Sequence, residues 1–198
     1  MTGSGKTVWL SKLIKYRHEV FHPVPERVIY SYQRYQDIFN TMEGVQFIQG
    51  LQKLDYDPNK PTLLICDDQQ NSQESLKELE MIYTVDSHHS NMSVIMVTQN
   101  LFLRSSQYRT ISLNCQYYFI FRSARSTNQV RTLAQQLYTG RGVIDMVTVY
   151  KRATSTPFSY VLIDLHPLSP ERLRFRTSIL PCEGVEFLGS KLTECYTL

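Results

Sequence analysis

The sequence predicts an α/β fold in which a doubly wound, mostly parallel β-sheet carries helices on both faces. Short apolar runs alternate along the chain with longer amphipathic stretches, a pattern that disfavours all-helical and all-β folds. Two of these runs, Thr62–Cys66 and Ser93–Val97, have the continuous apolar character of buried strands. With 198 residues, of which 42% are hydrophobic, the chain is large enough to form one domain with a real core.

Apolar residues at helical spacing predict the helices, and apolar runs bounded by Pro or Gly predict the strands. The first half is expected to contain a helix, a strand, a helix, two strands and a helix, at Lys6–Tyr16, Arg27–Ser31, Gln33–Met42, Val45–Ile48, Thr62–Cys66 and Ser72–Val85. The second half is expected to contain two strands, two helices and two strands, at Ser93–Val97, Tyr117–Phe121, Thr127–Tyr138, Ile144–Lys151, Ser159–Asp164 and Arg172–Ile179. We expect one domain over residues 1–181, followed by a tail at 182–198.

The chain opens with a glycine-rich string that matches the end of the phosphate-binding motif G-x-x-x-x-G-K-[ST], namely Thr2, Gly3, Ser4, Gly5, Lys6 and Thr7. In such a loop, backbone N–H groups surround the phosphates, and glycines let the main chain approach closely. Lys6 is expected to reach the β- and γ-phosphates, and the Thr7 hydroxyl to ligate Mg²⁺. ATP and Mg²⁺ are therefore the expected ligands.

Two further apolar runs end in polar side chains. Asp67 and Asp68 follow the first, at the edge of the sheet where ligands of open α/β folds bind. Asp67 is expected to hold Mg²⁺, and Asp68 to orient or deprotonate an attacking water. Gln99 follows the second run, and its amide can donate to phosphate and accept from water. Taken alone, the first run is better explained as a strand followed by an acidic turn, and a strand with a polar end is the alternative for the second. The phosphate loop is what favours a site.

A longer stretch resembles viral genome-packaging ATPases of the FtsK–HerA superfamily. It comprises the strings HHSNMSVIMVTQNLF at residues 88–102 and RTISLN at residues 109–114. The versions in Maverick/Polinton elements and adintovirus-like genomes are the most similar, and the packaging ATPases of adenoviruses and poxviruses are more distant. The likeness extends from Thr2 to about Pro181.

The resemblance implies a P-loop NTPase of the RecA-like (ASCE) type that assembles into a homo-oligomeric ring and pumps double-stranded DNA into a capsid. It implies nucleotide and metal contacts for Lys6 and Thr7, and a metal contact for Asp67. It also implies that Asp68 is the catalytic acidic residue and that Gln99 is the sensor of the γ-phosphate. An arginine supplied in trans would stabilise the transferring phosphoryl group. Arg109 is the first candidate for that arginine, and Arg104 and Arg125 are the others. The implied partners also include a capsid or portal vertex, in the host nucleus, a viral factory or the virion.

The resemblance also raises an expectation about the sheet. The first glycine of the phosphate motif would precede Met1, so the strand that normally leads into the loop is expected to be missing. We expect its place to be between the strands that end at Asp67 and Thr98, so that both would lose backbone partners. The sequence would then be a 5′-incomplete gene or a decayed copy. Two alternatives to a packaging motor stay open. The chain is either a truncated, catalytically inactive binding protein, or a helicase or conjugation-type motor.

Charge and cysteine usage add weaker indications. Residues 1–98 carry 9 Lys and Arg against 12 Asp and Glu, whereas residues 99–198 carry 12 against 6, which suits a polyanion or an acidic neighbour. The four cysteines are scattered, which favours reduced, intracellular thiols. No apolar run is long enough for a membrane span.

Two short charged motifs have structural interpretations. His88-His89 is interpreted as a helix end. The alternating arginines Arg172, Arg174 and Arg176 are interpreted as one face of a charged edge strand, with contacts to phosphates as the alternative.

Overall fold

The structure is a computed structural model that describes residues 4–51, 57–87, 90–123 and 126–183, with the backbone of 186–187, 190–191 and 194–196. The chain divides into two compact units. We call Thr7–Asn114 the parallel-sheet unit, and Met1–Lys6 together with Cys115–Leu198 the antiparallel-sheet unit. None of the helices in the described part of the chain has the length and apolar character that crossing a membrane requires.

The parallel-sheet unit contains four strands in the order β2-β1-β3-β4, and every neighbouring pair is parallel. The strands are β1 Arg27–Tyr32, β2 Val45–Gln49, β3 Thr62–Asp67 and β4 Met92–Val97. All six residues of β3 are buried, as expected for a strand that has a neighbour on each side and is covered on both faces. The order of this sheet brings the carboxyl ends of β1, β3 and β4 to one edge.

The helical segments of this unit are α1 Lys6–Lys15, whose first residue belongs to the other unit, α2 Arg17–Val20, α3 Gln73–Met81 and α4 Ser106–Asn114. Short 3₁₀ turns occur at Asp37–Thr41 and Gln69–Asn71, and a π-helical turn at Ile82–Asp86 continues α3. The Ser72 Oγ begins α3 by accepting from the backbone N–H of Ser75 at 3.0 Å. Helix α4 packs against α3 and the π-helical turn.

The antiparallel-sheet unit contains a second four-stranded sheet, in the order β10-β7-β6-β5. Its strands are β5 Tyr117–Phe121, β6 Tyr160–Asp164, β7 Phe175–Thr177 and β10 Glu194–Tyr196. A two-stranded hairpin joins β8 Glu186–Phe187 to β9 Ser190–Lys191. Helices α5 Ser126–Leu137 and α6 Arg141–Ala153 pack against each other, and a 3₁₀ turn occurs at Glu171–Leu173.

A buried carboxylate organises the second sheet. Asp164, at the end of β6, is 3% exposed and forms an ion pair with Arg176 of β7. It also accepts from the Ser169 hydroxyl at 2.8 Å and from the backbone N–H of His166 at 3.0 Å. Arg174 instead binds the carboxylate of Glu171, three residues earlier, and donates to the backbone oxygen of Asp164 at 3.1 Å. Charged hydrogen bonds thus satisfy the buried group.

Cys66 is buried and Cys115 is partly buried. Burial raises the pKa of the Cys66 thiol to about 12 and that of Cys115 to about 11, so both are protonated at neutral pH. Cys182 is exposed, and all three are free thiols. A protonated, buried thiol is a poor nucleophile, so neither Cys66 nor Cys115 is a candidate for covalent chemistry.

The α/β class is confirmed, but several details differ from the prediction. A single mostly parallel sheet is correct only for β1–β4, because β5, β6, β7 and β10 form an antiparallel sheet. We expected a missing strand between β3 and β4, which would leave their facing edges without hydrogen-bond partners. This expectation is wrong, because the two strands pair directly from Thr62↔Met92 to Asp67↔Val97. The predicted helix at Gln33–Met42 is only a 3₁₀ turn, and α4 was not predicted.

The predicted strand at Arg172–Ile179 is also shorter, since only Phe175–Thr177 is extended. Arg172 lies in the 3₁₀ turn and Arg174 directly follows it, so the three arginines do not share one strand face. Strand β7 is not an edge strand either, because it lies between β6 and β10. His88 and His89 fall outside the described residues.

Replacing Asp164 tests the ion pair that anchors the second sheet. Asp164→Ala is expected to lower the free energy of unfolding by about 3 kcal/mol, because it leaves the partly buried Arg176 without its counter-charge. The matched control is Asp145→Ala, which removes a surface pair with the 93% exposed Arg141. That change is expected to cost less than about 1 kcal/mol. Chemical denaturation of both variants provides the measurement, and equal losses would contradict the assignment.

Candidate functional site

The acidic pair lies where the sequence predicts, at the carboxyl edge of the parallel sheet. Asp67 is the last residue of β3 and is paired in register with Val97, the last residue of β4. The backbone N–H of Asp68 donates to the backbone oxygen of Val97 at 3.3 Å, which extends the pairing one residue beyond the strands. Asp67 is 8% exposed and Asp68 is half-buried. The strand end therefore presents two carboxylates of different accessibility.

A buried tyrosine fixes the first carboxylate. Tyr30, in the neighbouring strand β1, is fully buried and donates its hydroxyl hydrogen to Asp67 Oδ2 at 2.9 Å. Burial, and then the charges of Asp67 and Asp68, raise the pKa of the Tyr30 phenol far above its ordinary value. The phenol is therefore protonated at physiological pH and donates its hydrogen to the carboxylate. This hydrogen bond holds one oxygen of Asp67 in place and orients the carboxyl group.

The second carboxylate is held by an unusual backbone turn. Asp68 has φ 53° and ψ 32°, in the left-handed region that Asp tolerates better than most residues. The 3₁₀ turn that follows contains Gln69, a fully buried residue whose Oε1 accepts from Gln33 Nε2 at 2.9 Å. Gln33 follows β1, so β1 and the residue that follows it contact Asp67 and the turn after Asp68. At Asp68 the chain therefore leaves the direction of β3.

Gln99 lies two residues beyond β4 and is exposed at the same sheet edge. Its neighbours close a tight turn, in which the Thr98 hydroxyl donates to the Asn100 backbone oxygen at 2.8 Å. The Tyr108 hydroxyl, from α4, donates to that same oxygen at 2.8 Å. The turn that carries Gln99 is thus anchored on both sides, which limits the positions its amide can reach. Asp67, Asp68 and Gln99 are together at the ends of two paired strands.

The described part of the predicted phosphate loop consists of a glycine in a left-handed conformation followed directly by the start of a helix. Gly5 has a φ of +86°, a conformation that glycine adopts without strain, and Lys6 is the first residue of α1. Lys6 Nζ donates to Ser4 Oγ at 3.1 Å. Ser4, Gly5 and Lys6 belong to the antiparallel-sheet unit and Thr7 to the parallel-sheet unit. Thr2 and Gly3 lie outside the described residues.

The candidate arginines are accessible where they are described. Arg109 is exposed on α4, and Arg104 is exposed in the loop before it. Arg125 lies outside the described residues. Exposure is what a residue needs if it is to reach a neighbouring subunit, so Arg104 and Arg109 both meet that requirement.

The donor set fits a magnesium ion that is shared with a nucleotide. In the described residues, no three His, Cys, Asp or Glu side chains come together as a protein-only metal site would require. Mg²⁺ bound with a nucleotide does not need such a cluster, because phosphates and water supply most of its ligands. The Asp67 carboxylate and the Thr7 hydroxyl are hard oxygen donors of the type it prefers.

Tyr30, Gln33 and Gln69 were not identified from the sequence. Tyr30 has a weak sequence signal, since it is a hydroxyl-bearing residue inside the apolar run of β1. Its role depends on β1 pairing with β3, in a register that places Tyr30 opposite Ile65. Gln33 and Gln69 are 36 residues apart, and their contact has no sequence signal.

Removing the Tyr30 hydroxyl tests this arrangement. Tyr30→Phe is expected to lower the free energy of unfolding by about 1–3 kcal/mol, because the buried Asp67 loses a donor. The control is Tyr32→Phe, since both rings contact Phe39 and Phe47 but only the Tyr30 hydroxyl is bonded to Asp67. Thermal and chemical denaturation of the two variants would compare them. A larger loss for Tyr32→Phe would contradict the role of the hydroxyl.

Known proteins do not add an assignment to this geometry. A scan against protein-family models and searches of curated proteins and of solved structures found no match. The functional interpretation therefore depends on the residues of the site, their contacts and the sequence motifs.

Proposed function

We propose that this chain is an ATP-hydrolysing domain of the RecA-like P-loop type, with Mg–ATP bound by residues 2–7 and by the acidic end of β3. The observation that carries the proposal is the common sheet edge of Asp67, Asp68 and Gln99, at the ends of two parallel strands in direct register. Ligands of open α/β sheets bind at this edge. The loop backbone at Gly5 and the position of Lys6 at the start of α1 support phosphate binding.

Each residue has a separate task in the proposed reaction. Lys6 would neutralise the β- and γ-phosphates, and Asp67 and Thr7 would hold Mg²⁺, which would supply positive charge beside the phosphates. Tyr30 keeps the Asp67 carboxylate oriented through its 2.9 Å hydrogen bond. Asp68 accepts a proton from the water that attacks the γ-phosphorus in line with the departing ADP. Gln99 donates to the γ-phosphate and accepts from that water.

We further propose that hydrolysis drives the movement of double-stranded DNA into a capsid by a homo-oligomeric ring. The basic bias of residues 99–198 supports a polyanionic track, and exposed Arg109 supports a contribution to a neighbouring subunit's site. The resemblance to packaging ATPases is the reason for proposing a packaging motor. It also suggests the capsid vertex as the partner, and the host nucleus, viral factory or virion as the location.

Lys6 is the first residue to test. Lys6→Ala is expected to weaken Mg–ATP binding at least tenfold, because the phosphates lose their principal cation. Lys12→Ala is the matched control, since Lys12 lies exposed in the last turn of the same helix and is expected to leave affinity unchanged. Calorimetric titration of both variants gives the comparison. If Lys6→Ala binds like the parent chain, the loop is not the phosphate site.

Asp68→Asn separates binding from turnover. The amide keeps the size of the side chain and suits the left-handed backbone, but it cannot accept a proton, so ATP is expected to bind normally and to be hydrolysed at least a hundredfold more slowly. The control is Asp57→Asn, at an exposed acid. Hydrolysis at the parental rate would contradict the role of Asp68.

The nature of the motor is tested in the same assay with DNA. Stimulation by duplex DNA, with ATP-dependent displacement of a third strand from a triplex, is expected for a packaging motor. Preferential stimulation by single strands, with unwinding of forks, would instead indicate a helicase. Nucleotide binding without hydrolysis under any DNA condition would indicate a binding protein.

A further inference from the structure

One aromatic residue of the antiparallel-sheet unit combines two unfavourable features. Phe158, in the turn between α6 and β6, is 68% exposed. Its backbone has a φ of 64°, in the left-handed region that bulky residues rarely adopt. A large apolar side chain gains little from an exposed position, and its backbone conformation is strained. Contacts made by the ring are therefore needed to explain why it is held at this turn.

The ring of Phe158 lies against the phosphate loop. A Cβ added to Gly5 would be 3.2 Å from Phe158 Cδ1 and 3.3 Å from its Cβ, closer than ordinary contacts. A side chain at position 5 would therefore be strained by the φ of +86° and would also have to displace this ring by a few tenths of an ångström. The contact covers one part of the ring and leaves most of it accessible to solvent.

The turn that carries Phe158 is firmly held. The backbone N–H of Arg122 donates to the Ser159 oxygen at 2.9 Å, and the Arg122 guanidinium donates to the Ser155 oxygen at 2.8 Å. The Ser159 hydroxyl donates to the Thr156 oxygen at 2.5 Å. These bonds fix both ends of the turn to the end of β5, so the ring is presented by a constrained segment.

We propose that Phe158 is the stacking platform for the base of the nucleotide whose phosphates bind the Ser4–Lys6 loop. This inference rests on the proposed nucleotide site. The base is one ribose away from the phosphates, and an exposed phenyl ring beside the loop is positioned to meet it. Every nucleobase has a π-face, and stacking on an aromatic ring recognises that face without hydrogen bonds. The exposed ring and its strained backbone then have a purpose in the liganded protein.

Comparing ATP with inorganic tripolyphosphate tests the proposal, because the two ligands share the phosphate chain and only ATP has a base. In the full chain with Mg²⁺, Phe158→Leu is expected to weaken ATP binding roughly tenfold, the effect of losing one base–aromatic stack. It is expected to leave tripolyphosphate binding unchanged, since leucine still packs on Gly5. Phe158→Tyr is expected to restore ATP affinity. Leu168→Ala, at an 86% exposed position of the same unit, is the control.

The outcomes separate this inference from the proposed nucleotide site. Equal weakening of both ligands in Phe158→Leu would overturn the stacking role and assign the ring to support of the loop. An unchanged ATP affinity would also overturn it. If the parent chain binds tripolyphosphate as tightly as ATP, the phosphate site stands and the base platform fails. If the parent chain binds neither ligand, both proposals fail.

Discussion

The arrangement at the sheet edge depends on a carboxylate placed at the end of a completely buried strand. Transferring a carboxylate from water into a protein interior costs several kcal/mol unless hydrogen bonds replace its hydration. Asp67 meets that demand with a phenol from the adjacent strand, itself fully buried and unable to ionise at physiological pH. Strand β3 can therefore remain apolar over most of its length and still end in a charge.

The two units solve the same problem with different chemistry. In the parallel-sheet unit a neutral phenol donates to the Asp67 carboxylate. In the antiparallel-sheet unit the guanidinium of Arg176 neutralises Asp164, which leaves no net charge to attract a ligand. Burial alone does not distinguish them, since both are less than one-tenth exposed.

Sequence patterns predicted elements whose burial is continuous or regularly spaced. Strand β3 could be predicted because its apolar run reflects burial on both faces, and α6 because its apolar residues recur at helical spacing. Helix α4 has Ser, Thr and Asn at about half of its positions, so local propensity opposes it, and packing against α3 stabilises it instead. The segment at Gln33–Met42 closes as a 3₁₀ turn while Phe39 packs with Tyr30 and Phe47.

The candidate site was predictable only in part, for a related reason. Asp67, Asp68 and Gln99 could be found because each directly follows an apolar run, and parallel strands bring such ends together. The hydrogen bonds from Tyr30 and Gln33 depend on β1 and β3 being neighbours in a particular register, which spacing along the chain does not encode. The Arg172–Ile179 pattern failed because Glu171 binds Arg174 within a turn.

The left-handed backbone at Asp68 limits the amino acids that mutation can explore at this position. A β-branched residue would be strained there, and glycine would fit but would offer no acid. Among the two natural carboxylates, the shorter one is the more frequent in this region of backbone space. Selection for chemistry and selection for conformation therefore favour the same residue, so aspartate is expected to persist here, and asparagine fits the backbone but not the chemistry.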